Sequence, residues 1–191
     1  MKLVLASDHR VRALVRDRCR FSPADPSRVE IIEGDATHDG DVAGTVEGAD
    51  VVASFLGNTA RHVHIMNIAT DNIMTAAAAR PVPPWCLMIS SVGVGGSSSL
   101  IKLMLTLIGG RAGFEDYERA EARVRNEASV PTVVIRPYAL NDKSATGRYK
   151  VLGRTAHFAK PIARADVARF FFDCLRKTPG DKAAEINIGG S

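Results

Sequence analysis

The sequence predicts a doubly wound α/β fold of the Rossmann type, a mostly parallel sheet with helices on both faces and a truncated N-terminal βαβ unit. Short β-rich runs alternate with longer helical patterns in βαβα order. Several of the short runs are almost continuously apolar, as strands buried on both faces of a parallel sheet must be. The start of the chain breaks the pattern, because its first two strand candidates stand too close together for a helix to fit between them.

Residues 2–6 read as a first strand and Val11–Val15 as a second, with Arg12 inside it. Residues 29–32 follow, ending at Gly34-Asp35. Residues 50–56 form an apolar run closed by Gly57, and residues 86–89 lead into Ser90-Ser91. Residues 132–135 lead into Arg136-Pro137, and a tail strand at 185–188 closes the fold. Helical patterns lie at 41–47, stopped by Gly48, at 62–80, stopped by Pro81, at 115–128 and at 164–176. The last is expected to turn Ala165, Ala168, Phe171, Phe172 and Leu175 toward the core as one broad face.

A length of 191 residues suits a single domain over 1–191. The hydrophobic share of 46% and charged share of 24% are those of a soluble globular protein. The 25 Lys+Arg and 21 Asp+Glu leave a net charge of +4, with no basic run of five, so nucleic acid is not an expected partner. Cys19, Cys86 and Cys174 are far apart and form no disulfide framework, which points to a reducing compartment. The apolar start is cut short by Ser7-Asp8-His9-Arg10, too soon for a signal peptide. The longest apolar run, 100–108, contains Lys102 and falls well below the ~20 residues that span a bilayer. The expectation is a cytoplasmic or organelle-matrix protein that does not span a membrane.

Only residues 7–10 separate the first strand candidate from Val11. A helical crossover between parallel strands takes a dozen residues or more. The two segments form a hairpin, or one long bent strand, or the first leaves the sheet. Neither GxGxxG nor GxxGxxG occurs anywhere, so the loop that lets backbone amides approach a pyrophosphate is missing. Gly93, Gly95 and Gly96 cluster after a late strand, as a flexible loop or as a phosphate cradle.

From "VRALVRDRCR" onward the chain resembles the atypical short-chain dehydrogenases of the NAD(P)H-binding type, especially the flavin reductase and biliverdin-IXβ reductase group. The likeness runs through "EGDATHDGDVAGTVEGADVVASFLG", "MISSVGV", "VVIRPYALNDKSATGRY" and "ARADVARFFFDCL". It implies that Arg16 and Arg20 meet the 2′-phosphate of NADP(H), a pairing that suits the planar guanidinium. It implies adenine contacts for Asp35 and Ala36, although Asp35 could simply cap a turn. Leu56, Gly57 and Asn58 would lie beside the cofactor ribose, unless Gly57 is only a turn glycine. Ser91 would stand near the nicotinamide, where a helix-capping serine is the plainer alternative. Pro137, Tyr138 and Ala139 would line the nicotinamide pocket, with Tyr138 as a wall or as an acid. The resemblance thus makes Ser91 and Tyr138 the candidate catalytic residues. The dehydrogenase Tyr-x-x-x-Lys pair is absent, because Tyr117 is followed four residues later by Glu121. The reductase group manages without that pair, hydride passing directly from nicotinamide to a bound acceptor.

Other constellations are weaker. His62 and His64 would face different ways on a helix, so no metal site is expected. Ser90-Ser91 lacks a nucleophile elbow. The stripe Leu100, Ile101, Leu103, Met104, Leu107 and Ile108 is a segment over the substrate, a core-packing element or a protein-docking patch. Two functions are expected in competition. One is an NAD(P)H-dependent reductase of a flavin-like or quinone-like planar acceptor. The other is a non-catalytic Rossmann-like subunit whose truncated N-terminal edge or apolar stripe meets a partner. A third possibility is that the sequence as read has lost a segment that the natural protein keeps.

Overall fold

The computed structural model describes residues 8–23, 25–58, 64–95, 111–153, 159–176 and 184–191. The first strand candidate, at 2–6, and the stripe at 100–108 lie outside these residues, as does His62. Strand β1 (Val11–Val15) pairs in parallel with β2 (Val29–Glu33), Val11 opposite Val29 and Val15 opposite Glu33. Two short 3-10 turns join them, opened by Asp17 and Asp25, whose side chains accept the N–H of Cys19 and of Ser27. Then come α1 (Asp39–Val46), β3 (Val51–Ser54), α2 (Ile65–Ala78), β4 (Trp85–Ile89) and α3 (Arg111–Asn126). The chain continues through β5 (Thr132–Pro137), β6 (Leu140–Asn141), β7 (Tyr149–Leu152), β8 (Ile162–Ala163), α4 (Arg164–Leu175) and β9 (Ala184–Gly190).

The strands form a five-stranded sheet in the order β3-β4-β5-β9-β7, and two small sheets, β1-β2 and β6-β8. Among the described strands every pairing is parallel except β7 on β9. This is the mostly parallel, helix-covered α/β fold that the apolar runs predict. Alternate residues of the central strands supply two cores, because side chains on a strand alternate faces. Cys86, Met88 and Val134 meet Val42 and Val46 of α1, Ile73, Met74 and Ala77 of α2, and Val124 of α3. Trp85, Leu87, Val133, Ile135 and Ile188 meet Val167, Phe170, Phe171 and Cys174 of α4. A strand that feeds both cores has no polar face, which is why β4 and β5 read as unbroken apolar runs.

Among the described residues no hydrogen bond joins β1-β2 to the five-stranded sheet. The two nevertheless share one core, since Leu14 of β1 and Val52 of β3 pack against the same cluster.

The apolar face expected of the last helix is corrected by the structure. The buried residues of α4 are Asp166, Val167, Phe170, Phe171 and Cys174, whereas Ala165 is exposed and Ala168, Phe172 and Leu175 are only partly covered. A count of apolar residues misses Asp166, whose carboxylate is buried to hold the loop before β7. It accepts hydrogen bonds from the N–H and hydroxyl of Thr146 (3.0 and 2.9 Å) and from the N–H of Gly147 (2.8 Å). Satisfying that acid turns the helix about one residue from the expected face. Helix α2 begins later than the periodicity suggests, and its cap comes from another element. Buried Asp116 of α3 accepts the N–H of Met66 (2.9 Å) and of Asn67 (3.2 Å). None of the described helices is long and apolar enough to cross a membrane.

Candidate functional site

Each stretch that the sequence nominates follows the carboxyl end of a strand. Arg16 comes directly after β1, and Arg20 closes the 3-10 turn beyond it. Arg16, Arg18 and Arg20 are exposed, and among the described residues none of them makes an ion pair. After β2 the chain turns tightly. A Cβ on Gly34 would stand 2.7 Å from the Asp41 carboxylate and 3.0 Å from Leu14, so a side chain there would have to push both aside. The Asp35 carboxylate accepts the N–H (2.9 Å) and hydroxyl (2.8 Å) of Thr37. These bonds hold its carboxyl below the usual range. Partial burial opposes them, and the charges of Arg16 and His38 reinforce them. Asp35 therefore builds the turn and also stands within electrostatic reach of Arg16. Ala36 packs against the core and its carbonyl accepts the Asn72 side-chain amide at 3.0 Å.

After β3, Leu56 and Asn58 are half-buried and Gly57 is exposed. The Asn58 amide nitrogen donates to the Gly113 carbonyl at 3.3 Å, which orients the group. Among the described residues its Oδ1 is buried with no hydrogen-bond partner, and so is the Ser54 hydroxyl at the end of β3. The phenol oxygen of Tyr117 lies 3.4 Å from where a Gly57 Cβ would sit. Burial pushes the Tyr117 pKa above its ordinary 10.0, the Asn58 backbone N–H works against that, and the Asp116 charge adds to it. The phenol is thus neutral and protonated at physiological pH.

After β4, the Ser90 hydroxyl is buried and donates to Glu121 at 2.6 Å. Half-buried Ser91 turns its hydroxyl to the Val92 carbonyl at 3.2 Å. At the end of β5, Arg136 is buried and fully engaged. Its guanidinium binds Glu121 through Nε (2.8 Å) and Nη2 (2.5 Å), and Glu185 at 2.8 Å. Arg125 closes the group, 3.3 Å from Glu121 and 3.1 Å from Glu185. Gly95 lies over it with φ +73°, and a Cβ there would fall 2.9 Å from Glu121 Oε2. The glycine after β4 is therefore required by this buried pair. Pro137 is buried, and Tyr138 is half-buried with its N–H donating to the Ile188 carbonyl at 2.8 Å. Ala139 is exposed with φ +42°.

Glu121 stands where a dehydrogenase would carry its lysine, and its role is structural, as the bidentate partner of Arg136. Tyr117, which sequence reading set aside for want of that lysine, sits against the Gly57–Asn58 loop. Its spacing from Glu121 was the only signal, and the loop it meets is 59 positions away in the chain. Among the described residues no group of three or more His, Cys, Asp or Glu side chains is gathered as metal ligands would be.

Polar groups past the carboxyl ends of successive parallel strands define the ligand edge of an open α/β sheet, the class to which dinucleotide-binding proteins belong. Within that class the chain belongs to the NAD(P)H-binding family, whose profile matches residues 1–178. Its fold is similar to that of an anaerobilin reductase from Escherichia coli O157:H7, with TM-score 0.79 and 19% identity over 98% of this chain and 88% of that one. It is also similar to a short-chain dehydrogenase/reductase from Veillonella parvula solved with NADP (TM-score 0.78, 19% identity, 99% and 88% covered). A third, from Streptococcus pneumoniae TIGR4 and provisionally called an NADH-flavin reductase, gives TM-score 0.77 at 18% identity, with 100% and 91% covered. No curated protein sequence matches the chain.

Proposed function

We propose that the chain, as a single domain over 1–191, is an NADP(H)-dependent reductase that delivers hydride to a small planar acceptor of the flavin, quinone or tetrapyrrole kind. The observation that carries this reading is Asn58. A buried amide oxygen without a partner is costly unless a ligand satisfies it. This one lies on the loop after β3, where the family resemblance expects the cofactor ribose. Arg16, exposed beside the Asp35 turn, suits the 2′-phosphate that distinguishes NADP(H) from NAD(H), and Arg20 stands on the same segment. The residues present fit both ends of a dinucleotide, although the sequence carries no glycine-rich diphosphate loop.

When bound, the nicotinamide would supply the hydride. The protein's part is to bind and orient. Leu56, Gly57 and Asn58 flank the ribose, Ser91 faces the nicotinamide, and Pro137, Tyr138 and Ala139 wall the acceptor pocket. The anaerobilin reductase among the similar structures supports a planar acceptor. A second reading, a non-catalytic subunit, draws on the exposed apolar residues Val51 of β3 and Phe55 just past its end.

Titrating NADPH and NADH while following thermal unfolding tests the proposal. A ligand at about 100 times its Kd adds roughly 2.7 kcal/mol of stability. NADPH is expected to shift Tm more than NADH, and Arg16→Ala to weaken NADPH far more than NADH. Equal losses would remove Arg16 from the 2′-phosphate site, and no shift with either cofactor at millimolar concentration would overturn the enzyme reading.

A further inference from the structure

We infer that the acceptor is an anion, its carboxylate or phosphate group held at the sheet edge by Lys143 and Arg148 on the loop between β6 and β7. The inference rests on the reductase reading above and narrows its substrate class. Three observations carry it. The first is place. β6 begins directly after Ala139, in the segment assigned to the acceptor wall. β9 runs parallel to β5, and Tyr149 at the start of antiparallel β7 stands opposite Gly190 at the end of β9. Both ends of the loop at 142–148 therefore lie at the carboxyl edge of the parallel strands.

The second is charge. From 143 to 165 the sequence holds Lys143, Arg148, Lys150, Arg154, Lys160 and Arg164 and no Asp or Glu, in a chain with 21 acids among its 191 residues. The two flanking acids are already engaged. Asp142 pairs with Arg164 at 2.5 Å, and Asp166 accepts the bonds from Thr146 and Gly147. Lys143 and Arg148 are exposed, and among the described residues neither forms an ion pair.

The third is rigidity. Asn141 Oδ1 accepts the Lys143 N–H at 3.0 Å, and the Thr146 hydroxyl oxygen accepts the Arg148 N–H at 3.2 Å. Buried Asp166 holds Thr146 in turn. Both cations thus ride on backbone that is fixed before a ligand arrives, so binding has little ordering cost to meet. Arg148 offers a planar fork and Lys143 a point charge, and both suit an oxyanion. Their part is to hold the acceptor, and neither takes part in the hydride transfer. An uncharged quinone gives them nothing to hold, whereas a flavin phosphate or a carboxylated tetrapyrrole does.

The experiment measures acceptor binding by calorimetry on protein saturated with NADP+, which keeps the probes off the cofactor site. Two pairs of probes differ only in the anionic group: FMN against riboflavin for a phosphate, and biliverdin against its dimethyl ester for carboxylates. In at least one pair the anionic member is expected to bind about 5- to 30-fold more tightly, the size of two exposed ion pairs. Raising the salt concentration should shrink that advantage. Lys143→Gln combined with Arg148→Gln removes both charges and should bring the two members of the pair to within about 2-fold of each other. Equal affinity within both pairs for the wild type, or binding of none of the four, would overturn the inference and leave the cofactor reading standing. A preference that survives in the double variant would also overturn it, since the anion would then be held elsewhere. So would an equal loss for both members of a pair, which would make the loop a general wall. A wild-type protein that does not bind NADP+ would remove the reading on which the inference rests.

Discussion

Arg136 and Arg16 both stand at the carboxyl end of a parallel strand, yet they have opposite fates. Arg136 is buried near the end of β5, and its charge is met by Glu121 and Glu185, with Arg125 bridging the same two acids. Ser90 and Gly95 complete the group, one by donating a hydroxyl and the other by lacking a side chain. Arg16 lies at the margin of the two-stranded β1-β2 sheet, exposed, with the Asp35 charge nearby. A buried guanidinium must have all its charge answered by the protein, because water cannot answer it. An exposed one keeps its hydrogen-bonding capacity for a ligand. The same residue type at equivalent ends of two strands is scaffold in one place and candidate site in the other, and burial decides which.

That contrast can be tested by substitution. The largest effect is expected at Arg136→Ala, which leaves buried Glu121 and partly buried Glu185 facing each other with the partly exposed Arg125 as their remaining described partner. It should cost about 3–5 kcal/mol in chemical denaturation. Within the five-stranded sheet, Leu87→Ala should cost about 3 kcal/mol, because the side chain is 0% exposed between β4 and α4. Just past the end of the neighbouring strand, Phe55→Ala should cost less than about 1 kcal/mol, since Phe55 is 57% exposed, although its ring meets Phe171 of the same helix. If Phe55→Ala proves as costly as Leu87→Ala, the face of β3 is covered in solution, and the subunit reading gains what the reductase reading loses.

Acid should expose the scaffold end. Burial alone would raise the Glu185 carboxyl, but Arg136 and then Arg125 outweigh it and hold the group below its ordinary 4.5. The stability it contributes is present above that value and is lost as pH falls through the lower folded value. Tm should therefore drop below about pH 4.5, and Glu185→Gln should flatten that limb of the profile. A profile identical to the wild type would mean that other acids carry the acid unfolding. The smallest effect is expected at Arg16→Ala, within about 0.5 kcal/mol of wild-type stability without cofactor. A larger loss would make Arg16 part of the scaffold and erase the distinction.

Much of the fold was legible because parallel strands covered on both faces leave a periodicity-free apolar signature. Residues 86–89 and 132–135 became β4 and β5 with almost unchanged bounds. The strands β6 and β8, of two residues each, and the half-exposed β7 were not legible, since so few residues carry no pattern. The candidate site was legible only as stretches that follow strands. What each residue does there depended on partners far along the chain. Ser90 is occupied by Glu121 while Ser91 is not, and nothing local to "ISS" separates the two.

By itself, then, the amino-acid order determined the α/β class, the order of the longer strands and helices, and the absence of a glycine-rich diphosphate loop. These follow from local periodicity and from the residue types a tight turn requires. Tertiary structure alone decided that Glu121 would neutralise Arg136, that Asp116 would cap α2 from another helix, and that Asn58 would bury an acceptor with no donor among the described residues. Each of those outcomes depends on electrostatics and hydrogen bonding across distances that sequence spacing does not encode, in an interior where an unanswered polar group is expensive.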